Sequence, residues 1–593
     1  MRLLISLFLI SLVHAGEKRP NILWLTGEDH GPHFGCYGDT YATTPNVDAL
    51  ARRSLLYTNA SSNAPICAPA RTCIISGMYS PALGAHHMRS GVELPSWIEL
   101  LPETLRKAGY FCTNNSKTDY NFNVNDAKFW DECSGKAHYR NRADGQPFFA
   151  VFNQTCSHES QIRNENENPQ HDPALAPVPP YHPDTPEVRK DWAQYYDRLT
   201  KLDTWVGQQL DALEKAGLAE DTIVFFYGDH GSGMPRHKRY VGWSGLHVPL
   251  LVHIPDSLKH LRPEGYQAGG KSDRLVAFVD LAPTVLSLCG IDKKDFHQGN
   301  AFLGEHIEKA PEYSFGFVGR ADEHPDESRS VFDGRYLYIH NFVPSIPQLK
   351  GLTYQMETRT TSQWKELFDA GKLNAVQAEP WTAPKAKDLL FDLQSDPHEI
   401  NNIFAENPEV AQRMVKALGE YFVRTGDLGL LSEGHLQHAV STMELTPADF
   451  AKTPDYLEVA KKFQAGETII SHPGSLTSGP QAEQLAELQE LSDSLDDNSP
   501  DFLKVLLLDT LISLQFKPEY VDQLLVLADP KKSDPYTALS AYQALRKAEK
   551  MTPDQYATLE NINTQPAEGT PARVSSYSER CKELLIKEFR EKH

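Results

Sequence analysis

Short apolar runs recur through the first two-thirds of the chain, each followed by helical spacing, and this alternation constrains the fold more than any other feature. A strand that is apolar on both faces needs cover on both sides, which helices crossing between parallel strands supply. Residues 21–25 (Asn-Ile-Leu-Trp-Leu) form such a run, and further strands are expected at 110–113, 148–153, 222–227 and 249–254. Val47, Leu50, Ala51 and Leu55 fall on one side of a helix expected over 45–57, with Thr44 as its N-cap and Pro45 in its first position. A second helix is expected over 94–108, closed by Gly109. The stretch 161–186, rich in Asn, Pro and His, reads as a long loop of the kind that lines sites. The expected class is α/β, with a mostly parallel sheet between helical layers.

At 593 residues the chain is too long for one ordinary core. The pattern changes after residue 310. Residues 330–339 read as a hairpin turning at Asp333-Gly334, followed by a strand at 389–393 and a helix at 408–425. This predicts a small antiparallel subdomain over 311–430, beside a main domain over 20–310. Helical stretches at 500–514, 518–527 and 535–550 make 431–593 a helical extension without a regular repeat.

The formal net charge of −21 argues against non-specific nucleic-acid binding and against anionic membranes. Met1-Arg2, an apolar run over 3–13 and the ending Val13-His14-Ala15 resemble a secretory signal peptide over 1–15, so a secreted or periplasmic protein is expected. That run is too short to span a bilayer, and no later segment is apolar enough to do so. Eight cysteines are far too few for a disulfide scaffold.

The densest local signal is Cys67-Ala68-Pro69-Ala70-Arg71, which follows a polar loop and opens a helix expected to run to Met78. A helix N-terminus offers free N–H groups and positive potential to an anion, and Arg71 lies one turn on, over the same face. A buried structural cysteine is the alternative. Glu28-Asp29 and Asp229-His230 each close a strand, where parallel α/β sheets gather ligands. Three carboxylates and a histidine suit one divalent cation, and their oxygens favour Ca²⁺ or Mg²⁺ over zinc. Asp229-His230-Gly231 taken alone is a capped turn. His86-His87-Met88-Arg89 reads either as substrate contacts at a pocket rim or as a solvated turn.

Cys-x-Pro-x-Arg, followed by Thr72 and Ser76-Gly77, resembles the signature of the sulfatases, a family of alkaline-phosphatase-like fold. Residues 21–29, the run Thr44-Pro45-Asn46-Val47-Asp48, residues 105–117, Gly228-Asp229-His230-Gly231 and residues 238–249 resemble further family segments in the same order. The resemblance implies that Cys67 is oxidised by a formylglycine-generating enzyme and that its hydrate attacks sulfur. A sulfated enzyme and a free alcohol or amine follow, and the second hydroxyl then expels sulfate. It implies one Ca²⁺, in preference to Mg²⁺, held by Glu28, Asp29, Asp229, His230 and residue 67, with Glu28 standing where aspartate is usual. It assigns Arg71 to the hydrate, Lys117 and Lys238 to the sulfate, and His158 to the sulfate and the leaving group. Asp119 stands where the family usually has a histidine, and is the candidate base. The implied substrate is a sulfated carbohydrate carrying O- or N-sulfate. The segment Ala49–Leu56 also resembles heparan N-sulfatase-like members. The alternatives are a phosphodiesterase or phosphonate monoester hydrolase of the same superfamily, and a non-catalytic glycan-binding protein with unmodified Cys67.

Overall fold

The computed structural model describes residues 19–123, 126–164, 168–466, 499–548, 550–564 and 572–592, with isolated positions between 485 and 495. The stretch 1–15, expected to be a signal peptide, lies outside the described residues. Eight strands form the main sheet: β1 (Asn21–Gly27), β2 (Leu55–Tyr57), β3 (Phe111–Asn115), β4 (Glu132–Cys133), β5 (Phe148–Gln154), β6 (Thr222–Gly228), β7 (Leu250–His253) and β8 (Lys271–Ser272). Their order is β4-β3-β5-β1-β6-β7-β2-β8. Every pairing is parallel except those of β7 with β6 and with β2.

β1 shows why its run is uninterrupted. Ile22 and Trp24 enter one apolar layer with Phe149, Phe225 and the helices Cys67–Ser76 and Leu281–Leu288. Leu23 and Leu25 enter the opposite layer with Phe226 and the long helix Pro186–Lys215, through its Trp192, Leu199 and Leu202. Both faces are therefore dry, as a central parallel strand requires.

Two expected helices are shorter in the structure. The first ends at Ala51, where the Ser54 hydroxyl donates to the Leu50 carbonyl at 2.7 Å. Residues 55–57 then pair with β7 and β8 instead of continuing the helix, because sheet pairing also buries Leu55. The second helix covers only Leu101–Lys107. Pro102 has no N–H to give a preceding turn, so it marks the helix start, and Glu103 Oε2 accepts the Leu100 N–H at 2.8 Å.

A second sheet is antiparallel throughout, in the order β9 (Ser314–Val318), β10 (Ser328–Phe332), β11 (Tyr336–Asn341) and β12 (Asp388–Asp392). The expected hairpin turn is there: Gly334 sits at φ +97°, and Asp333 Oδ1 accepts the N–H of Arg335 and of Tyr336 at 2.9 and 2.6 Å. Helix Pro408–Thr425 matches its expected span. The extension carries its own core, in which Leu507, Val521, Leu524 and Tyr542 meet, and its helix expected over 535–550 stops at Leu545. It docks on the 320–324 loop, where Arg546 Nη1 lies 2.7 Å from His324 Nε2 and Gln543 donates to the Glu323 carbonyl. No helix among the described residues is long and apolar enough to cross a membrane.

Candidate functional site

Four strand ends converge on one edge of the sheet. β1 and β6 are register neighbours, with Gly27 opposite Gly228, so Glu28-Asp29 and Asp229-His230 emerge side by side. β5 lies on the other flank of β1 and leads to His158, while β3, beside β5, leads to Lys117 and Asp119. Asp29 holds the left-handed conformation at φ +49°, unusual for a residue with a side chain. There its N–H donates to Asp229 Oδ1 at 3.0 Å.

Cys67 is the first residue of helix Cys67–Ser76, all ten residues of which are buried, and no side chain caps the helix N-terminus. The expected helix to Met78 ends two residues earlier, at Gly77 in the left-handed conformation. One turn on, Arg71 donates from Nε and Nη2 to Asp229 Oδ2 at 3.1 and 3.0 Å, and from Nη1 to Asn153 Oδ1 at 2.8 Å. Burial opposes its charge, yet Asp229 and Glu28 raise its pKa further above the usual guanidinium value. Ile66, Cys67, Ala68, Met88, Ala321 and Leu352 pack together, which brings the 86–89 run and two later segments against the cysteine.

The remaining side chains form a tight charge lattice. Lys238 Nζ donates to Asp29 Oδ2 at 2.6 Å and lies 3.5 Å from His158 Nε2. Lys117 Nζ lies 2.8 Å from Glu28 Oε1 and 3.5 Å from Asp119 Oδ2. His230 Nε2 lies 3.0 Å from Asp29 Oδ1. Burial would raise the Asp29 carboxyl, but Lys238, His158 and His230 hold it well below the usual range. Burial likewise opposes ionisation of Asp229, where His230 and Arg71 prevail and hold it at about 2. Glu28 goes the other way: burial raises it despite Lys117 and Arg71. Burial pushes His158 down to about 4, with Asp29 opposing.

This donor set fits a hard cation. One ligand atom from each of Asp29, Asp229 and His230 lies within 4.8 Å of the others, and Glu28, Asp29 and His158 form a second such group. Three buried carboxylates packed this closely repel one another unless cations neutralise them, which an oxygen-binding divalent ion does directly.

The other expected residues are placed differently. Arg89 is ion-paired with Asp119, and both backbones are left-handed, at φ +64° and +50°. His86 and His87 are buried. His86 Nε2 is 3.7 Å from Glu327 Oε2, and His87 Nδ1 accepts the Arg320 N–H at 3.0 Å. Three supporting residues escaped the sequence reading. Asn153 orients Arg71; Glu159 donates its N–H to Asp29 Oδ2 at 2.7 Å; and Arg239 forms a two-pronged pair with Glu159, both contacts 2.8 Å. Asn153 is the penultimate residue of β5, Glu159 follows His158 and Arg239 follows Lys238, so adjacency was the one available signal.

Comparison with known proteins agrees with this arrangement. The Sulfatase family model matches residues 20–291. An ulvan-active sulfatase from Formosa agariphila is 37% identical over 470 residues, covering 71% of this chain and 77% of that protein. The N-sulphoglucosamine sulphohydrolase of Homo sapiens is 27% identical over 460 residues, covering 67% and 88%. A solved structure of a 2-O GAG sulfatase shares the fold with a TM-score of 0.52 at 18% identity, covering 69% of this chain and 93% of that one. With its sheet, its helix-borne Cys67 and its paired strand-end acids, the chain belongs to the sulfatase family and is a sulfuric ester hydrolase.

Proposed function

We propose that the chain is an exported sulfatase that cleaves sulfate esters or sulfamates of a sulfated carbohydrate, with Cys67 matured to formylglycine by the formylglycine-generating enzyme. The observation that carries this reading is the convergence of the Cys67 helix, the acids of β1 and β6, and Lys117, Lys238 and His158 on one sheet edge. The ulvan-active relative supports a polysaccharide substrate.

Glu28, Asp29, Asp229, His230 and residue 67 would hold a Ca²⁺, which supplies Lewis-acid withdrawal of charge from the sulfate oxygens. Once matured, residue 67 supplies a hydrated aldehyde as nucleophile toward sulfur. Arg71, fixed by Asp229 and Asn153, keeps a permanent cation beside that nucleophile. Lys117 and Lys238 bind the anionic group from two sides, and this preorganised charge favours the transition state, where negative charge accumulates on the departing oxygen. His158 and Lys238, 3.5 Å apart, form the pair that protonates the leaving oxygen or nitrogen. Asp119 is our candidate for the base that accepts the proton as sulfate departs, a reading supported by its contacts with Lys117 and Arg89. Arg89, paired with Asp119, is the member of the 86–89 run left for substrate contact, because His86 and His87 are buried against Glu327 and Arg320.

The test uses enzyme made in a host that forms formylglycine, assayed for sulfate release from ulvan, heparan and chondroitin and on a matched sulfate ester and phosphate diester. The expected result is preference for the sulfate ester and release from at least one polymer. Cys67→Ala is expected to abolish turnover while leaving the fold intact. A strong diester preference would replace this reading with a phosphodiesterase of the same superfamily.

A further inference from the structure

At the far end of the helix that begins with Cys67, the chain leaves a groove of about 790 Å³. That is within the range of about 300–1,000 Å³ typical of ligand clefts. Met78, just beyond the helix, lines it, so the groove lies roughly 15 Å from Cys67 by the 1.5 Å rise per helical residue. Its walls come from the loop before Asn300, the C-terminal turn of helix Pro408–Thr425, the helices Pro447–Phe450 and Pro454–Gln464, and Trp97.

The chemistry of the lining contrasts with the rest of the chain. Lys294, Arg424 and Lys452 are all exposed along it, against one acid of the lining, Asp295, in a protein of net charge −21. Nearby acids are already engaged: Asp449 accepts the Trp97 indole N–H at 2.8 Å, and Glu99 pairs with Lys107. Two aromatic rings share the groove. Lys452 Nζ sits 3.2 Å from the centre of the Trp97 ring, whose centroid is 6.1 Å from that of Phe296. The floor is rigid, because Gln298 accepts the Tyr79 N–H at 2.9 Å, donates its side-chain N–H to the Thr425 carbonyl at 2.7 Å, and donates its backbone N–H to the Gly77 carbonyl at 2.8 Å.

We propose that this groove is a second, non-catalytic binding site for a sulfated polysaccharide chain, which anchors the enzyme to its polymer away from Cys67. Exposed cations concentrated on an acidic protein attract anionic groups locally while the rest of the surface repels them. Phe296, and the part of the half-buried Trp97 ring that Lys452 does not cover, add apolar surface of the kind that packs against sugar rings, so the occupant is an anion with a saccharide backbone. The identity of the polymer rests on the sulfatase reading above; the binding itself does not.

The experiment measures binding of dextran sulfate and of uncharged dextran to the full chain by affinity electrophoresis, and turnover of 4-nitrophenyl sulfate in parallel. The wild-type protein is expected to bind dextran sulfate, more weakly as salt is raised, and to ignore dextran. The double variant Lys294→Glu/Arg424→Glu, both positions exposed, is expected to lose about tenfold or more in affinity while small-ester turnover is unchanged. Trp97→Ala is expected to weaken binding in the same direction. If the double variant binds dextran sulfate as tightly as wild type, if the wild type binds none, or if the variant loses small-ester turnover along with binding, the groove is not this site. Binding that falls as expected in an enzyme that releases no sulfate from any polymer would sink the catalytic reading and leave the groove standing.

Discussion

The backbone N–H of Asp29 donates to Oδ1 of Asp229 at 3.0 Å, joining residues 200 positions apart in sequence. The bond exists because β1 and β6 are parallel neighbours in register up to Gly27 and Gly228. It locks two buried carboxylates next to each other, an arrangement that a bound divalent cation relieves. Stripping divalent ions with a chelator is therefore expected to lower both activity and the thermal midpoint. Restored Ca²⁺ at a hundred times its Kd should contribute about 2.7 kcal/mol of stability, and more than Mg²⁺ at equal concentration. Scanning calorimetry with and without added ion checks this, and an ion-independent midpoint would contradict the metal site.

Gly228 has no room for a side chain. A Cβ there would overlap the His30 carbonyl and approach its ring to 3.0 Å. Gly228→Ala is expected to push the β1 and β6 ends apart, costing about 1–3 kcal/mol and most of the activity. Urea unfolding and sulfate release, measured on the same preparation, should both report the change.

Glu159 and Arg239 form a buried two-pronged pair beside Lys238. Burial would raise Glu159, but Arg239 and Lys238 hold it at about 2. Glu159→Gln leaves buried Arg239 with only Asp322, 3.5 Å away, as an ion-pair partner among the described residues, and removing one partner of such a buried pair costs about 3–5 kcal/mol. Arg239→Ala should cost a similar amount, and the double variant much less than the sum. A double-mutant cycle by urea denaturation measures that coupling.

Buried neutral histidines set the acid limit. Burial pushes His182 down to about 3, and His247 and His297 to about 4. The Trp192 indole N–H donates to His182 Nδ1 at 3.1 Å and His182 Nε2 faces the Pro235 carbonyl at 2.9 Å, which fixes the neutral ring. With folded pKa values below the unfolded one, the unfolded chain binds more protons at acidic pH. Stability is thus undiminished above about pH 6.5 and falls as pH drops toward 4, by up to about 1.4 kcal/mol per unit for each histidine. His182→Gln is expected to reduce that slope by one such increment, read from urea midpoints at pH 7.5, 6 and 5. An unchanged slope would contradict it.

Much of the site was legible because its residues stand at the ends of strands that carry strong apolar runs. Asn21 to Leu25 announces β1, and the acids follow directly; Asp229 and His230 follow β6 in the same way. What stayed hidden depends on contacts across the fold. The apolar spacing that suggested a helix over 45–57 is equally served by a short strand, and only pairing with β7 decides between them. Pro102 marked a helix start that the spacing alone overran. The Glu159–Arg239 pair, the Arg89–Asp119 pair and the Arg71–Asn153 bond link segments far apart in the chain, and no local pattern signals which charge meets which.

The central claim concerns residue 67. It sits buried at an uncapped helix N-terminus, one turn from a guanidinium that Asp229 and Asn153 hold in place. The most direct measurement is mass spectrometry of the tryptic peptide covering residues 54–71, from protein made in a host able to form formylglycine. The account predicts the aldehyde mass at position 67. An unmodified cysteine there, in protein that still releases sulfate, would contradict it.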